Sequence, residues 1–282
     1  MCQFCHQHGE GRKWYLNAAN YSDDMLADAR RRKFIEQFDS LDDATRAVER
    51  GHRSIERVGR LPRFIKFMLK RVLTGKMKQL HYGQVVPIEE IGQIFGFTNS
   101  IVRVACVCRK ETTRKEQRYC YGVSLEPHGV FMQTVKRLFS NSPGAPDMAG
   151  FEALTPGEAM ASFYNHEKEG LCHTVWTFRT PFIGGICNCD RSDCLAMRST
   201  ITHDLPAMFR AEFVAHVDPD LCNGCRECMR FCQFGALSFS AANRRSVIDQ
   251  QFCYGCGVCR VACTRQAITL VDRSSSPVAN VW

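Results

Sequence analysis

Cys222-Asn223-Gly224-Cys225-Arg226-Glu227-Cys228-Met229-Arg230-Phe231-Cys232 and Cys253-Tyr254-Gly255-Cys256-Gly257-Val258-Cys259-Arg260-Val261-Ala262-Cys263 carry one pattern twice. In each run three cysteines stand two residues apart, and a fourth follows after three more. A short acidic β segment leads into each run (Ala215-His216-Val217-Asp218; Val247-Ile248-Asp249), and another short strand leads out (Gly235-Ala236-Leu237-Ser238-Phe239; Gln266-Ala267-Ile268-Thr269-Leu270). A duplicated strand, thiol loop and strand predicts a small module of two half-copies that gathers eight thiols for a metal cofactor. The whole chain has 282 residues and 17 cysteines, so nine thiols lie outside the repeat. At 45% hydrophobic and 23% charged it has the apolar content to bury a core, which excludes wholesale disorder. The opening Met1-Cys2-Gln3-Phe4-Cys5-His6 has no apolar signal-peptide core, and no run reaches the roughly 18 apolar residues of a membrane span. The expectation is a cytoplasmic protein with no transmembrane segment, whose reduced thiols serve as ligands.

The duplicated motif resembles the bacterial-type two-cluster ferredoxin over about residues 212–273. The resemblance implies two [4Fe–4S] clusters in a fold with a pseudo-twofold axis, each loop of three cysteines wrapping one cubane while its fourth crosses to the other. On that pattern cluster I takes Cys222, Cys225, Cys228 and Cys263, and cluster II takes Cys253, Cys256, Cys259 and Cys232. Gly224, Gly255 and Gly257 are expected to let the loop backbone close in, and loop N–H groups to bond the sulfurs. The family places proline after each fourth cysteine, whereas this chain has Gln233 and Thr264. Proline is not a ligand, so the departure bears on the turn and the potentials and leaves ligation intact. Zinc or free thiols are poor alternatives for two matched runs of four.

The nine remaining cysteines are Cys2, Cys5, Cys106, Cys108, Cys120, Cys172, Cys187, Cys189 and Cys194. Cys106-Val107-Cys108-Arg109 is followed by Cys120, and Ile186-Cys187-Asn188-Cys189 by Cys194. A C-x-C pair on a strand points both thiols to one face, so two pairs brought together supply four thiolates. Cys106, Cys108, Cys187 and Cys189, with Cys120 or Cys194, are therefore expected to hold a third centre, a [4Fe–4S] cluster or zinc, with buried metal-free thiols as the alternative. Arg109 is expected to offset the negative charge of such a cluster. Cys172 has no spaced partner and reads as a small core residue. The C-x-C-R and C-N-C block, together with Val175-Trp176-Thr177-Phe178 and Pro181-Phe182-Ile183-Gly184-Gly185, resembles larger iron–sulfur proteins of anaerobes over roughly residues 81–273. Many relatives carry further cysteines where this chain reads Asp190-Arg191-Ser192-Asp193-Cys194. Cys2 and Cys5, beside His6 and His8, form a weaker ligand set that would need partners from elsewhere.

The net charge is +8, and residues 51–80 carry nine cations against Glu56 alone, so the excess belongs to one segment. The fold class expected is α+β: a helical N-terminal region with a basic amphipathic helix (1–80), a mixed α/β cysteine-containing domain (81–211), the ferredoxin domain (212–273) and a tail (274–282). Helices are expected within 14–50, at 42–58, at 63–74 ending at Gly75, at 88–95 and at 156–168, the last with a Thr155/Glu158 capping box; 100–107 reads as β, and 142–146 as a loop. The basic helix suits a solvated face, an acidic redox partner or an anionic membrane surface in peripheral contact; a nucleic acid is disfavoured because no helix-turn-helix pattern is present. Gly92-Gln93-Ile94-Phe95-Gly96 does not fit a dinucleotide fingerprint, and there is no Walker loop. The reading is a non-catalytic electron-transfer component serving a larger oxidoreductase in an anaerobe. The alternatives are a redox-sensing regulator that binds DNA, or a reductase whose third cluster binds substrate.

Overall fold

The computed structural model describes residues 12–22, 44–80, 83–127, 151–177, 182–205 and 207–281. Residues 23–43 of the stretch 14–50 expected as helical, the loop at 142–146, and Cys2 and Cys5 lie outside them. Residues Trp14–Leu16 and Ala18–Tyr21 form short 3-10 turns, not the start of a long helix. Tertiary contacts decide this: Trp14 Nε1 donates to Gln84 Oε1 at 2.7 Å, Tyr15 OH donates to the Glu90 carboxylate, and Tyr21 OH donates to Tyr15 O at 2.7 Å. Two helices follow, α1 (Ala44–Gly59) and α2 (Arg63–Leu80), with Pro62 breaking between them. Helix α2 runs past Gly75, where the sequence expectation ends it. One interior glycine costs only about 1 kcal/mol against alanine, and the neighbouring leucine, lysine and methionine residues favour continuation.

The middle of the chain alternates β1 (Gly83–Val86), α3 (Ile88–Phe97), β2 (Ser100–Val104), α4 (Val107–Thr113), β3 (Cys120–Ser124), β4 (Glu152–Ala153), α5 (Pro156–Lys168), β5 (Cys172–Thr177) and β6 (Ile183–Cys189). Glu158 N–H donates to Thr155 Oγ1 at 3.3 Å and Thr155 N–H to Glu158 Oε2 at 2.8 Å, so the capping box of α5 forms as its sequence requires. All six strands join one antiparallel sheet in the order β1-β5-β6-β3-β2-β4. Period-two alternation gives the sheet two unlike faces. Val123, Val175, Ile183 and Ile186 pack with Ile91, Ile94, Phe95 and Phe163 of α3 and α5 and with the N-terminal aromatics. Phe163 is wholly buried, edge-on to Phe95 at 5.2 Å between ring centroids. The opposite face carries Cys172, Cys187 and Cys189, and against it pack Phe234, Cys256 and Val258 from the C-terminal module.

That module contains β7 (Phe213–Val217), β8 (Leu237–Ser240), β9 (Arg245–Ile248) and β10 (Ile268–Asp272). Strand β10 pairs antiparallel with β7 and β8 with β9, so the two thiol loops are held between two short ribbons. After β10 the chain has no periodicity, yet Val278 is buried in this module's core. Among the described residues no helix is long and apolar enough to cross a membrane.

Candidate metal centres

The repeat folds as two equivalent loops. Gly224 and Gly255 share φ +73°, and a Cβ on either would meet a backbone oxygen, Arg244 O at 2.3 Å or Phe213 O at 2.0 Å. Here the glycines admit the neighbouring strand's carbonyl against the thiol loop. One cavity, partly open to solvent, is lined by Cys222, Cys225, Cys228 and Cys263. A second, also partly open, is lined by Cys253, Cys256, Cys259 and Cys232. Each therefore draws three thiols from one run and the fourth from the other. Backbone N–H groups reach the sulfurs: Ala236 N to Cys232 Sγ and Ala267 N to Cys263 Sγ, both 3.2 Å, and Ala215 N to Cys253 Sγ at 3.4 Å. Burial pushes the thiols of Cys253, Cys256 and Cys259 above their ordinary range, so thiolates there depend on a bound cation. Cys225 is exposed, whereas Cys256 is buried.

A second gathering of thiols lies on the cysteine face of the sheet. Strand β6 carries Cys187 and Cys189 to one side, as the C-x-C spacing predicts. The Cys106/Cys108 pair arrives differently: β2 ends at Val104, Cys106 precedes α4 and Cys108 belongs to its first turn. All six thiols nevertheless converge. Cys120 and Cys187 stand opposite each other in the β3–β6 register with Sγ atoms 3.4 Å apart, and Cys189 and Cys194 have theirs 3.2 Å apart. Cys106 neighbours Cys120, and Cys108 neighbours Cys194. Those contacts, then burial, hold the Cys106 and Cys108 thiols well above their ordinary range. Cys187 rises to about 12: the Cys120 contact lowers it, but burial and neighbouring thiols outweigh that. No three His, Cys, Asp or Glu side chains among the described residues converge as one ion's ligands do. The same holds for the eight cysteines of the repeat, since a cubane's ligands stand apart around a four-iron body.

Arg109 does not serve the thiols as a free cation. It pairs with Asp190 and, at 3.2 Å, with Asp193, and it covers the Tyr119 ring at 4.2 Å. With two carboxylates on one guanidinium, its role is to clamp α4 onto the turn after β6. The sequence also gave no sign of Arg210 and Arg273, which both donate to Cys253 O, at 3.1 and 2.9 Å, and place two cations beside the second cavity. Gln233, the departure from the family's proline, donates to Gly170 O at 2.8 Å and accepts from Arg191 N at 3.1 Å, so it docks the module onto the middle domain. Cys172 is fully buried, in one hydrophobic cluster with Cys256 and Cys194. In α2 the apolar side of the amphipathic helix faces outward: Phe64 is 76% exposed and Val72 69%. Lys70 bonds Asp204 at 2.6 Å and, with Arg63, Lys66 and Arg71, lines a shallow basic depression.

A comparison with curated proteins finds no match. Residues 215–264, under a fifth of the chain, match the family model of the 4Fe-4S dicluster domain, and all eight cysteines of the repeat fall inside that span. The C-terminal part of the chain is therefore an iron–sulfur domain that binds [4Fe–4S] and has an electron-transfer role.

Proposed function

We propose that this protein relays single electrons through three iron–sulfur centres, two in the C-terminal module and one in the six-thiol group, between a redox partner protein and a larger oxidoreductase. The observation that carries the reading is the pair of cavities, each lined by three cysteines of one run and the fourth of the other. Cluster I is held by Cys222, Cys225, Cys228 and Cys263, and cluster II by Cys253, Cys256, Cys259 and Cys232. Cubanes suit single-electron traffic because they spread the added charge and reorganise little. The third centre draws on Cys106, Cys108, Cys120, Cys187, Cys189 and Cys194. Cys172 shares one buried cluster with Cys256 and Cys194, which supports the order cluster I, cluster II, third centre.

The protein's own residues bind and orient the clusters and set their potentials. Backbone N–H bonds at Cys232, Cys253 and Cys263 favour the reduced state, and Arg210 and Arg273 add positive charge beside cluster II. The reading places the protein in the reducing cytoplasm of an anaerobe, where such thiols stay available. The basic depression on α2 suits an acidic partner surface by charge steering. The test is iron and acid-labile sulfide on anaerobically prepared full-length protein. About 12 iron per chain supports three cubanes. About 8 removes the third centre, and zinc without iron at the repeat overturns the account.

A further inference from the structure

Helix α2 points its apolar side away from the protein. Phe64, Ile65, Met68 and Val72 fall on one face at helical spacing, and Arg63, Lys66 and Lys70 fall on the opposite one. A surface helix ordinarily turns the first set toward the core. Here Lys66, Leu69 and Lys70 are the half-buried residues, and Lys70 is tied to Asp204 at 2.6 Å. Phe64, Ile65, Phe67, Met68 and Val72 are left between 48% and 76% exposed. We propose that this stripe rests on an anionic lipid surface, with α2 lying in the bilayer plane and its apolar side chains in the boundary between headgroups and acyl chains.

Charge and geometry together choose the occupant. Helix α2 carries six cations and no acid in 18 residues. The lone acid of residues 51–80, Glu56, already bonds Arg198 at 3.2 Å. A second copy of the chain laid on the stripe would set these like charges face to face. An acidic protein seated on the basic depression meets Arg63, Lys66, Phe67 and Lys70, and leaves the outer stripe in water. A bilayer satisfies both sides. Phenylalanine, isoleucine, methionine and valine enter the boundary, while the long cationic side chains beside them reach the headgroup phosphates. Arg71, exposed and two turns along from Phe64, flanks the stripe in the position this requires. The helix is too polar to cross the membrane, so the contact is peripheral.

The experiment floats full-length, anaerobically prepared protein with vesicles of phosphatidylcholine alone, or of phosphatidylcholine mixed with phosphatidylglycerol, at low and high salt. Wild type should float with the mixed vesicles, stay behind with the neutral ones, and bind less at high salt. Replacing Phe64, Met68 and Val72 together with glutamine should lower binding about tenfold or more, with iron content and elution volume unchanged. Phe64→Leu keeps an apolar side chain and should bind as wild type does, which separates a lost stripe from a damaged helix. No flotation of wild type with mixed vesicles overturns the proposal. Equal flotation of the triple glutamine variant and wild type also overturns it, because charge alone then holds the protein and an acidic protein surface becomes the occupant. A wild-type dimer that the triple variant breaks assigns the stripe to a second copy instead. None of these readouts depends on the number of clusters, so the outcome stands apart from the electron-relay reading.

Discussion

Replacing Gly255 with alanine, and Gly235 likewise, separates two costs at one backbone conformation. Their φ angles are +73° and +70°, but a Cβ at Gly255 would stand 2.0 Å from Phe213 O, whereas at Gly235 it meets nothing within 4 Å. The left-handed region costs an L-residue about 1–2 kcal/mol at either site. A carbon–oxygen contact of about 3.3 Å is normal, so the Gly255 variant must push the loop and β7 apart by roughly 1.3 Å. Phe213 O accepts from Arg273 Nη2 at 2.7 Å and lies in the β7–β10 register opposite Asp272. Losing that hydrogen bond to a charged group adds about 1.5–3 kcal/mol. The expected totals are about 1–2 kcal/mol for Gly235→Ala and about 2.5–5 kcal/mol for Gly255→Ala. Thermal melts and iron counts on anaerobic protein read both terms. Gly255→Ala should lose the cluster between Cys253, Cys256 and Cys259, about 4 iron, and Gly235→Ala should keep it. Two variants with the same melt and the same iron would refute the reasoning.

Arg109→Met strands Asp190, whose side chain is 11% exposed, together with Asp193; it should cost about 3–5 kcal/mol and release the third centre's iron before that of the C-terminal module, as seen in melts followed by iron loss. Burial holds His166 down, from the ordinary 6.5 to about 4, and its Nε2 lies 2.9 Å from Tyr121 OH. The folded state therefore binds fewer protons than the unfolded state between those values, so this contribution is complete above pH 6.5 and is lost as pH falls toward 4. Melting temperatures across that window should fall with pH, and less steeply in His166→Gln. Changing Arg63, Lys66, Lys70 and Arg71 together to glutamine should leave iron unchanged and slow electron exchange with an acidic partner protein at low ionic strength, the difference closing at high salt.

Local signals were legible in the sequence. The cysteine spacing gathers three lining residues of each cavity in one loop, and Thr155 with Glu158 starts α5 where expected, because both depend on neighbours a few residues away; the fourth thiol, from the other run, is what the ferredoxin resemblance implied. The Cys106/Cys108 segment was not legible in this way. Val102, Val104 and Val107 prolong a β pattern, but Arg109 pairs with carboxylates some eighty residues on, and that long-range clamp accompanies the turn into α4. The N-terminal aromatics are a similar case: Trp14 and Tyr15 are fixed by Gln84 and Glu90. Gln233 read as a loss of the family's proline, and only its bonds to Gly170 and Arg191 reveal it as a docking residue. The exposed stripe of α2 could not be foreseen, since periodicity gives an amphipathic face without saying where it points.

The central claim is electron transfer through three clusters, and an EPR-monitored redox titration of the anaerobic full-length protein tests it most directly. The account predicts reversible one-electron reduction of every centre, about three spins per chain at full reduction, with mutual broadening between neighbouring centres. Iron that stays bound but takes up no electrons reversibly would contradict it.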